Sequence, residues 1–302
     1  MFNFKKERLI KDSIGQGSFG EVFPYQKNPQ DSKWVVKRTK AKKIEDLLRC
    51  LPEIVLGFSC DHPCIVPVKG YSIEPKDNKY YVYMKLPRMA GGNLADELRR
   101  RNKKEEYFSE SELLKHFYAL ISAVDYLHSK RISHGDIKIN NILLDEKGNL
   151  KLCDIGSGKF VADEDHYNTM TSANGAINYK APEIIQHERA LKDYNLKSKN
   201  AKKDQPMLNI LTKEHMYLAD SWSLGLTMLE ICMLESKLIN PHDPINLIEE
   251  RFENIRKEAS TRYKDVLLEI IFGLLRTDPT QRLKVAAAKI KLEENFKQIL
   301  VR

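Results

Sequence analysis

The segment His134-Gly135-Asp136-Ile137-Lys138-Ile139-Asn140-Asn141 decides how this chain is read. A carboxylate, an amine and an amide stand in order within one short stretch. Asp136 can accept or orient a hydroxyl proton, Lys138 can offset developing negative charge, and Asn141 can offer an oxygen to a divalent cation. Further along, Asp154 opens Asp154-Ile155-Gly156 directly after the strand-like Lys151-Leu152-Cys153, and is the natural second metal ligand. This order of groups suits phosphoryl transfer.

Upstream, Gly15-Gln16-Gly17-Ser18-Phe19-Gly20-Glu21-Val22 is a GxGxxG between two strand-like runs. Glycines let backbone N–H groups approach phosphate oxygens with no side chain in the way, although the same spacing also serves ordinary tight turns. A dinucleotide-binding fold would need a helix straight after the last glycine, and Val22-Phe23-Pro24 supplies none. Lys37 follows on a strand, where a cation can hold phosphates, and Glu53 on the next helix is its candidate ion-pair partner. Pro52 and Gly57 weaken that helix: an interior proline costs about 3 kcal/mol, so a kink or a late start is expected near Glu53.

Residues up to about Leu86 alternate strand-like runs with turns, as in Val35-Val36-Lys37, Ile65-Val66-Pro67-Val68 and Tyr80-Tyr81-Val82-Tyr83-Met84. One helix interrupts them from about Lys43 to Ser59, with Leu47, Leu48, Leu51, Ile54, Val55 and Phe58 three and four apart. From Leu94 onward helical periodicity dominates. Leu113, Leu114, Phe117, Leu120, Ile121, Val124 and Leu127 form one stripe, behind a capping box of Ser109 and Glu112. Ile142-Leu143-Leu144 and Leu150-Lys151-Leu152 read as a short hairpin, and segments around 221–234, 263–276 and 286–299 as helices. Residues 186–218 read as one long loop carrying Lys197, Lys199, Lys202 and Lys203.

A hydrophobic fraction of 42% excludes a disordered chain, and a length of 302 residues allows a substantial core. The net charge of +8 permits attraction to acidic partners and equally describes a solvated basic surface. Cys50, Cys60, Cys64, Cys153 and Cys232 are odd in number and lack metal-ligand spacing, so free thiols in a reducing compartment are expected. No leader or lipidation motif is written at either end, and the most apolar stretch, Leu224 to Leu234, is too short to span a bilayer and carries Glu230. These features predict an intracellular, cytoplasmic protein, a nuclear one remaining open, with no membrane anchor and no nucleic-acid partner.

Together the glycine loop, strand lysine, helix glutamate, catalytic loop and metal aspartate resemble the signature set of eukaryotic protein kinases. Ala181-Pro182-Glu183 resembles the close of that family's activation segment, and Asp220-Ser221-Trp222-Ser223-Leu224-Gly225 its central helix. The resemblance implies a bilobal α+β fold over residues 1–302 as a single domain, with a small β-rich lobe to about 86, a larger helical lobe from 87, and an insertion at about 186–218. It implies an Arg282–Glu183 pair. It further implies ATP and Mg²⁺, with Ile14, Gly15, Gln16, Gly17, Ser18, Phe19, Gly20, Val22, Lys37, Leu86 and Met89 around the nucleotide. The hinge falls near Pro87-Arg88-Met89, and Asn141 and Asp154 hold the metal. Asp136, Lys138, Lys37 and Glu53 carry the chemistry.

Some positions depart from the family pattern. Gly135 stands where most members have arginine, which argues against control by activation-loop phosphate at Thr169, Thr171 or Ser172. Ala176 replaces the threonine that usually follows Gly175, removing one hydrogen bond near the acceptor, and Ile155 replaces phenylalanine as an apolar plug. His-Gly-Asp also resembles small-molecule kinases of the aminoglycoside and choline type, but Lys138 and Ala181-Pro182-Glu183 favour a protein acceptor. Serine/threonine transfer is therefore expected, with dual specificity and a nucleotide-binding pseudokinase scaffold as alternatives. An acidic partner is the alternative to a solvated loop at 190–212, and Arg99-Arg100-Arg101 reads as a solvated helix end.

Overall fold

A computed structural model describes residues 13–17, 20–25, 33–160, 176–198 and 211–300. In chain order its elements are strands β1 (Gly15–Gly17), β2 (Gly20–Pro24) and β3 (Trp34–Ala41), helix α1 (Ile44–Ser59), and strands β4 (Gly70–Lys76) and β5 (Lys79–Pro87). Helices α2 (Leu94–Asn102) and α3 (Glu110–Ser129) follow, then strands β6 (Ile132–Ser133), β7 (Ile142–Leu144), β8 (Leu150–Leu152) and β9 (Lys159–Phe160). The chain continues through helices α4 (Pro182–Ser198), α5 (Lys213–Met233), α6 (Ile245–Ala259), α7 (Asp265–Leu274) and α8 (Val285–Leu300). They form two compact units, one of residues up to Gly92 with Ile142–Gly158, the other of Asn93–Asn141 with Lys159 onward.

In the first unit an antiparallel sheet runs in the order β1-β2-β3-β5-β4. The pleat of β3 sends Lys37 and Ala41 to the face that α1 covers, where Leu47 and Ile54 pack with Ala41, Val68, Val82 and Met84. Helix α1 is continuous through Pro52, against the expected kink. The hydrogen bond that proline deletes would have ended on the carbonyl of Leu48, a residue on the exposed side. Asp46 holds the start of the helix by accepting from the Lys42 and Lys43 N–H groups at 3.1 and 3.3 Å.

Gly57 is a close-approach site rather than a missing contact. A Cβ there would run into the Val68 side chain, and the Gly57 carbonyl accepts from the Val68 N–H at 3.1 Å. The run Ile65–Val68, expected as a strand, therefore stays outside the sheet. Ile65 bridges Leu152, Val66 N–H donates to the Leu152 carbonyl at 2.9 Å, and Pro67 has no N–H with which to continue a ladder. The fourth strand is instead Gly70–Lys76, which its polar Ser72, Glu74 and Lys76 conceal.

The hairpin of β7 and β8 is built as expected, its turn closed by Asp145 accepting from Lys147 and Asn149 N–H, each at 2.9 Å. Its backbone bonds to Gly91 and Gly92, through the Leu144 carbonyl and N–H, place it with the sheet. The first unit runs on past β5 to Gly92 and takes in this hairpin as part of Ile142–Gly158.

In the second unit α3 starts at the expected capping box, where Ser109 accepts from Glu112 N–H and Glu112 accepts from Ser109 N–H at 2.8 Å. Its predicted stripe is buried throughout. Residues 186–218 are not one loop: α4 continues to Ser198 and α5 begins at Lys213, leaving 199–210 outside the described residues. Helix α6 is an addition to the sequence reading. Ile245, Ile248, Phe252, Ile255 and Ala259 stand three and four apart along it, Ile248, Phe252 and Ala259 are buried, and Phe252 bridges Trp222 and Phe272 with ring centroids 5.7 and 6.1 Å away. Arg101 is more than a solvated helix end, since its guanidinium lies 3.8 Å from the Phe108 ring centroid and pairs with Glu97 and Glu112. Among the described residues no helix is long and apolar enough to cross a membrane.

Candidate active site

The first unit assembles an ammonium between two carboxylates. Lys37 Nζ lies 2.6 Å from Glu53 Oε1 and 2.9 Å from Asp154 Oδ1, and all three side chains are largely buried. Burial alone would lower the Lys37 pKa, but the charges of Glu53 and Asp154 outweigh it and hold the amine above its ordinary value. Burial pushes the Glu53 carboxyl up against the lowering pull of Lys37, with a further push from Asp154. Lys37 is thus permanently charged, and the trio has a formal charge of −1, an environment that favours a cation.

Local structure explains how residues so far apart in sequence meet. Strand β3 presents Lys37 opposite Met84, and α1 carries Glu53 on its buried side. Asp154 follows β8 in a left-handed conformation, φ 63°, which short polar side chains tolerate. Gly156 leaves room for Glu53, whose Oε2 would be 3.3 Å from any Cβ there. Ile155 is buried, as an apolar plug should be.

The glycine hairpin pairs Gly15 with Val22 and Gly17 with Gly20, and a Cβ on Gly20 would collide with the Arg38 carbonyl oxygen. Ile14 donates its N–H to the Val22 carbonyl at 2.8 Å and exposes its side chain. Gln16 lies within β1, Leu86 in β5 beside Val35, and Met89 in the turn that accepts from Gly92 N–H. Ser18 and Phe19 lie outside the described residues, as do Thr169, Thr171, Ser172 and Gly175.

In the second unit the carboxylate is central and donors surround it. Asp136 Oδ2 accepts from Lys138 Nζ at 2.6 Å and from Asn141 Nδ2 at 2.9 Å, and Asn141 Nδ2 also donates to the Asp136 carbonyl at 2.8 Å. With both amide hydrogens engaged, the Asn141 Oδ1 is left as an acceptor. Asp136 Oδ1 accepts from the Ala176 backbone N–H at 3.0 Å. The hydrogen bond that a threonine side chain at this position would have made was expected to be missing. The main chain still ties this segment to Asp136, a bond no side-chain pattern announces.

Asp220 holds the loop from below. Its Oδ2 accepts from His134 N–H at 2.8 Å and pairs with His128 Nε2 at 2.9 Å, while its Oδ1 accepts from Gly135 N–H at 2.9 Å. Gly135 sits at φ 74°, which glycine enters without steric cost. The role of Asp220 had a sequence signal: a carboxylate in an apolar helix must find donors. His128 had none.

Beyond Ala176, a 3₁₀ turn over Ile177–Tyr179 leads into Ala181-Pro182-Glu183. Arg282 grips Glu183 with two bonds, of 2.7 and 2.9 Å, donates to the Leu218 carbonyl at 3.0 Å and stacks 5.1 Å from the Trp222 ring centroid. The pair implied by the resemblance is present. Fork-to-carboxylate geometry of this kind fixes orientation as well as charge.

Comparison with known proteins agrees with this geometry. Residues 9–198 match the family model described as the protein kinase domain. The CBL-interacting serine/threonine-protein kinase 8 of Arabidopsis thaliana is 33% identical over 183 residues, 58% of this chain and 38% of that protein. A probable serine/threonine-protein kinase of Dictyostelium discoideum is 28% identical over 295 residues, 96% of this chain and 57% of that one. Mouse serine/threonine-protein kinase Nek9 is 28% identical over 273 residues, 89% and 24% of the two chains. The chain therefore spans between about a quarter and just over half of these relatives. With the family model covering more than half of the sequence, a β-rich unit carrying the lysine trio and a helical unit carrying the Asp136 loop, the chain belongs to the protein kinase domain family and has its bilobal α+β fold.

Proposed function

We propose that the chain transfers the γ-phosphoryl group of ATP to serine or threonine hydroxyls of a protein. The observation that carries this reading is the arrangement at Asp136, where one buried carboxylate is held by Lys138, Asn141 and the Ala176 N–H. Asp136 orients the acceptor hydroxyl or takes its proton, and Lys138 offsets charge on the phosphoryl group in flight. Lys37, braced by Glu53, positions the nucleotide phosphates, and Gly15, Gly17 and Gly20 let the backbone approach them.

The donors present fit magnesium. The Asn141 Oδ1 and the Asp154 carboxylate are hard oxygens, and the Lys37 trio carries a formal −1 charge. When bound, the ion would neutralise phosphate charge. A protein acceptor is favoured over a small molecule because Asp136 is bonded to the segment that leads into Ala181-Pro182-Glu183 and its Arg282 brace. A pseudokinase scaffold is disfavoured because lysine, both aspartates and asparagine are all present.

All five cysteines are free thiols, which supports a reducing, cytoplasmic setting. An acidic partner at 190–212 rests on the run of lysines alone; deleting those residues and finding unchanged turnover on every substrate would remove it. The reading itself is tested on a peptide array with labelled ATP, followed by phosphoamino-acid analysis. Phosphoserine and phosphothreonine are the expected products. Phosphotyrosine as a comparable product would establish dual specificity, and labelling of aminoglycosides or choline without peptides would overturn the protein acceptor.

A further inference from the structure

Helix α1 buries one side against the sheet and leaves a row of apolar side chains on the other. Ile44, Leu48, Val55 and Phe58 are 49, 55, 52 and 48% exposed, and Leu51, half-buried, completes the row at its centre. Among the described residues eleven large apolar side chains are exposed; these four share one helix, and no other helix carries more than one. Singly scattered apolar side chains are ordinary, whereas a contiguous row marks a surface that a partner covers. The make-up of the helix agrees. Besides the buried Glu53, its only charged or hydroxyl-bearing residues are Glu45, Asp46, Arg49 and Ser59. A surface helix normally keeps a whole polar face, and one that is apolar almost all round is built to be covered on both sides. The sheet side takes Leu47 and Ile54.

Spacing identifies the kind of partner. Residues 44, 48, 51, 55 and 58 are four, three, four and three apart, the 3.5-residue period of a seam between two helices. Charge then selects a second copy of the chain and its direction. Lys42 and Lys43 stand exposed at the start of the helix, and its last turn holds no basic residue. A parallel pair would bring the lysines of both copies together. In an antiparallel pair each Lys42-Lys43 lies at the carbonyl end of the other helix, where the dipole favours cations. A two-fold axis near Leu51 then sets Ile44 towards Phe58 of the second copy and Leu48 towards its Val55, while Glu45 flanks Ser59 instead of another carboxylate.

We infer that the outer side of α1 is a self-association surface, on which two copies of the chain pair their apolar rows antiparallel about a two-fold axis near Leu51. Phe58 anchors one end of the row, its ring meeting Tyr71 of β4 edge-on with centroids 5.8 Å apart. Glu53 is buried on the same helix and bonded to Lys37, so the pairing neither uses nor blocks the lysine trio and stands independently of the phosphoryl-transfer reading. One helix row per copy is at the small end of specific interfaces, and the expected dissociation constant is on the order of 10 µM.

The test is sedimentation equilibrium of the full chain from about 1 µM to about 200 µM, a range chosen around that constant, for wild type, Leu48→Glu and Val55→Glu. Wild type should pass from monomer to dimer across the range. Each variant should associate at least about tenfold more weakly, because the seam would bury an unpaired carboxylate. At the dilute end the three melting temperatures should agree, since both positions face solvent in the monomer. Raising the concentration should raise the melting temperature of wild type alone.

Direction is read by mild oxidation. Ile44→Cys mixed with Phe58→Cys should give a thiol-reversible dimer that wild type and either variant alone do not. In the antiparallel pair the two copies of residue 44 stand roughly 20 Å apart along the axis, beyond the reach of a disulfide. Ile44→Cys cross-linked to itself would overturn the antiparallel pair. A wild type that stays monomeric throughout the range would overturn the inference and leave the row to a helix of another protein. Variants that dimerise as tightly as wild type would overturn it as well.

Discussion

The lysine trio of the first unit and the aspartate loop of the second solve opposite problems. In the trio one ammonium stands between two carboxylates gathered from residues 37, 53 and 154. At Asp136 one carboxylate is surrounded by donors, two of them from side chains at 138 and 141. The first arrangement holds excess negative charge and depends on a sheet, a helix and a hairpin meeting correctly. The second is nearly neutral and is largely built into its own loop. The cation-attracting part of the site should therefore be sensitive to distant packing, and the proton-handling part to local backbone geometry.

Replacing Lys37 strikes the first arrangement hardest. Lys37→Met leaves Glu53 and Asp154 buried without their cation, and transfer should fall by at least about a hundredfold, as for loss of a group aimed at developing charge. Nucleotide affinity should fall with it, which titration of a fluorescent nucleotide would check. Arg282→Ala removes the platform's brace and leaves Glu183 unpaired, with an expected loss of about 3–5 kcal/mol in denaturant unfolding. Arg282→Lys should recover only part of it, because an ammonium cannot make the two-pronged contact.

Two glycines sharpen the contrast. Gly57→Ala forces a methyl into Val68, so α1 or the chain at Val68 must shift, for about 1–3 kcal/mol by thermal melting. Because α1 carries Glu53, nucleotide affinity should weaken too. Gly135→Ala places a side chain at φ 74° for about 1–2 kcal/mol. Its effect should appear in kcat with nucleotide affinity kept. If the two glycines exchanged these signatures, the division between packing-dependent and locally built halves would be wrong.

How far the sequence could be read follows the same division. Asp136, Lys138 and Asn141 lie within one short stretch, so residue types and spacing announced their grouping. The Lys37–Glu53 pair was legible as a pattern, yet Pro52 and Gly57 argued against it. Neither objection holds, since Leu48 is on the exposed side and Val68 needs the space. Strand propensity misled at Ile65–Val68 because Val66 and Val68 send their N–H groups to Leu152 and Gly57. Helix α6 was legible too, since Ile245, Ile248, Phe252, Ile255 and Ala259 stand three and four apart. The Ala176 bond to Asp136 and the Tyr179–Glu230 bond join main-chain groups or distant side chains, and nothing in a linear sequence marks them.

On the proposed reading, Asp136 handles the acceptor while the lysine trio serves the nucleotide. The direct test measures single-turnover transfer and nucleotide affinity side by side for wild type and Asp136→Asn. Loss of a positioned base or orienting group predicts a rate lower by about 10²–10⁴-fold with affinity unchanged. Transfer at the wild-type rate by Asp136→Asn would contradict it.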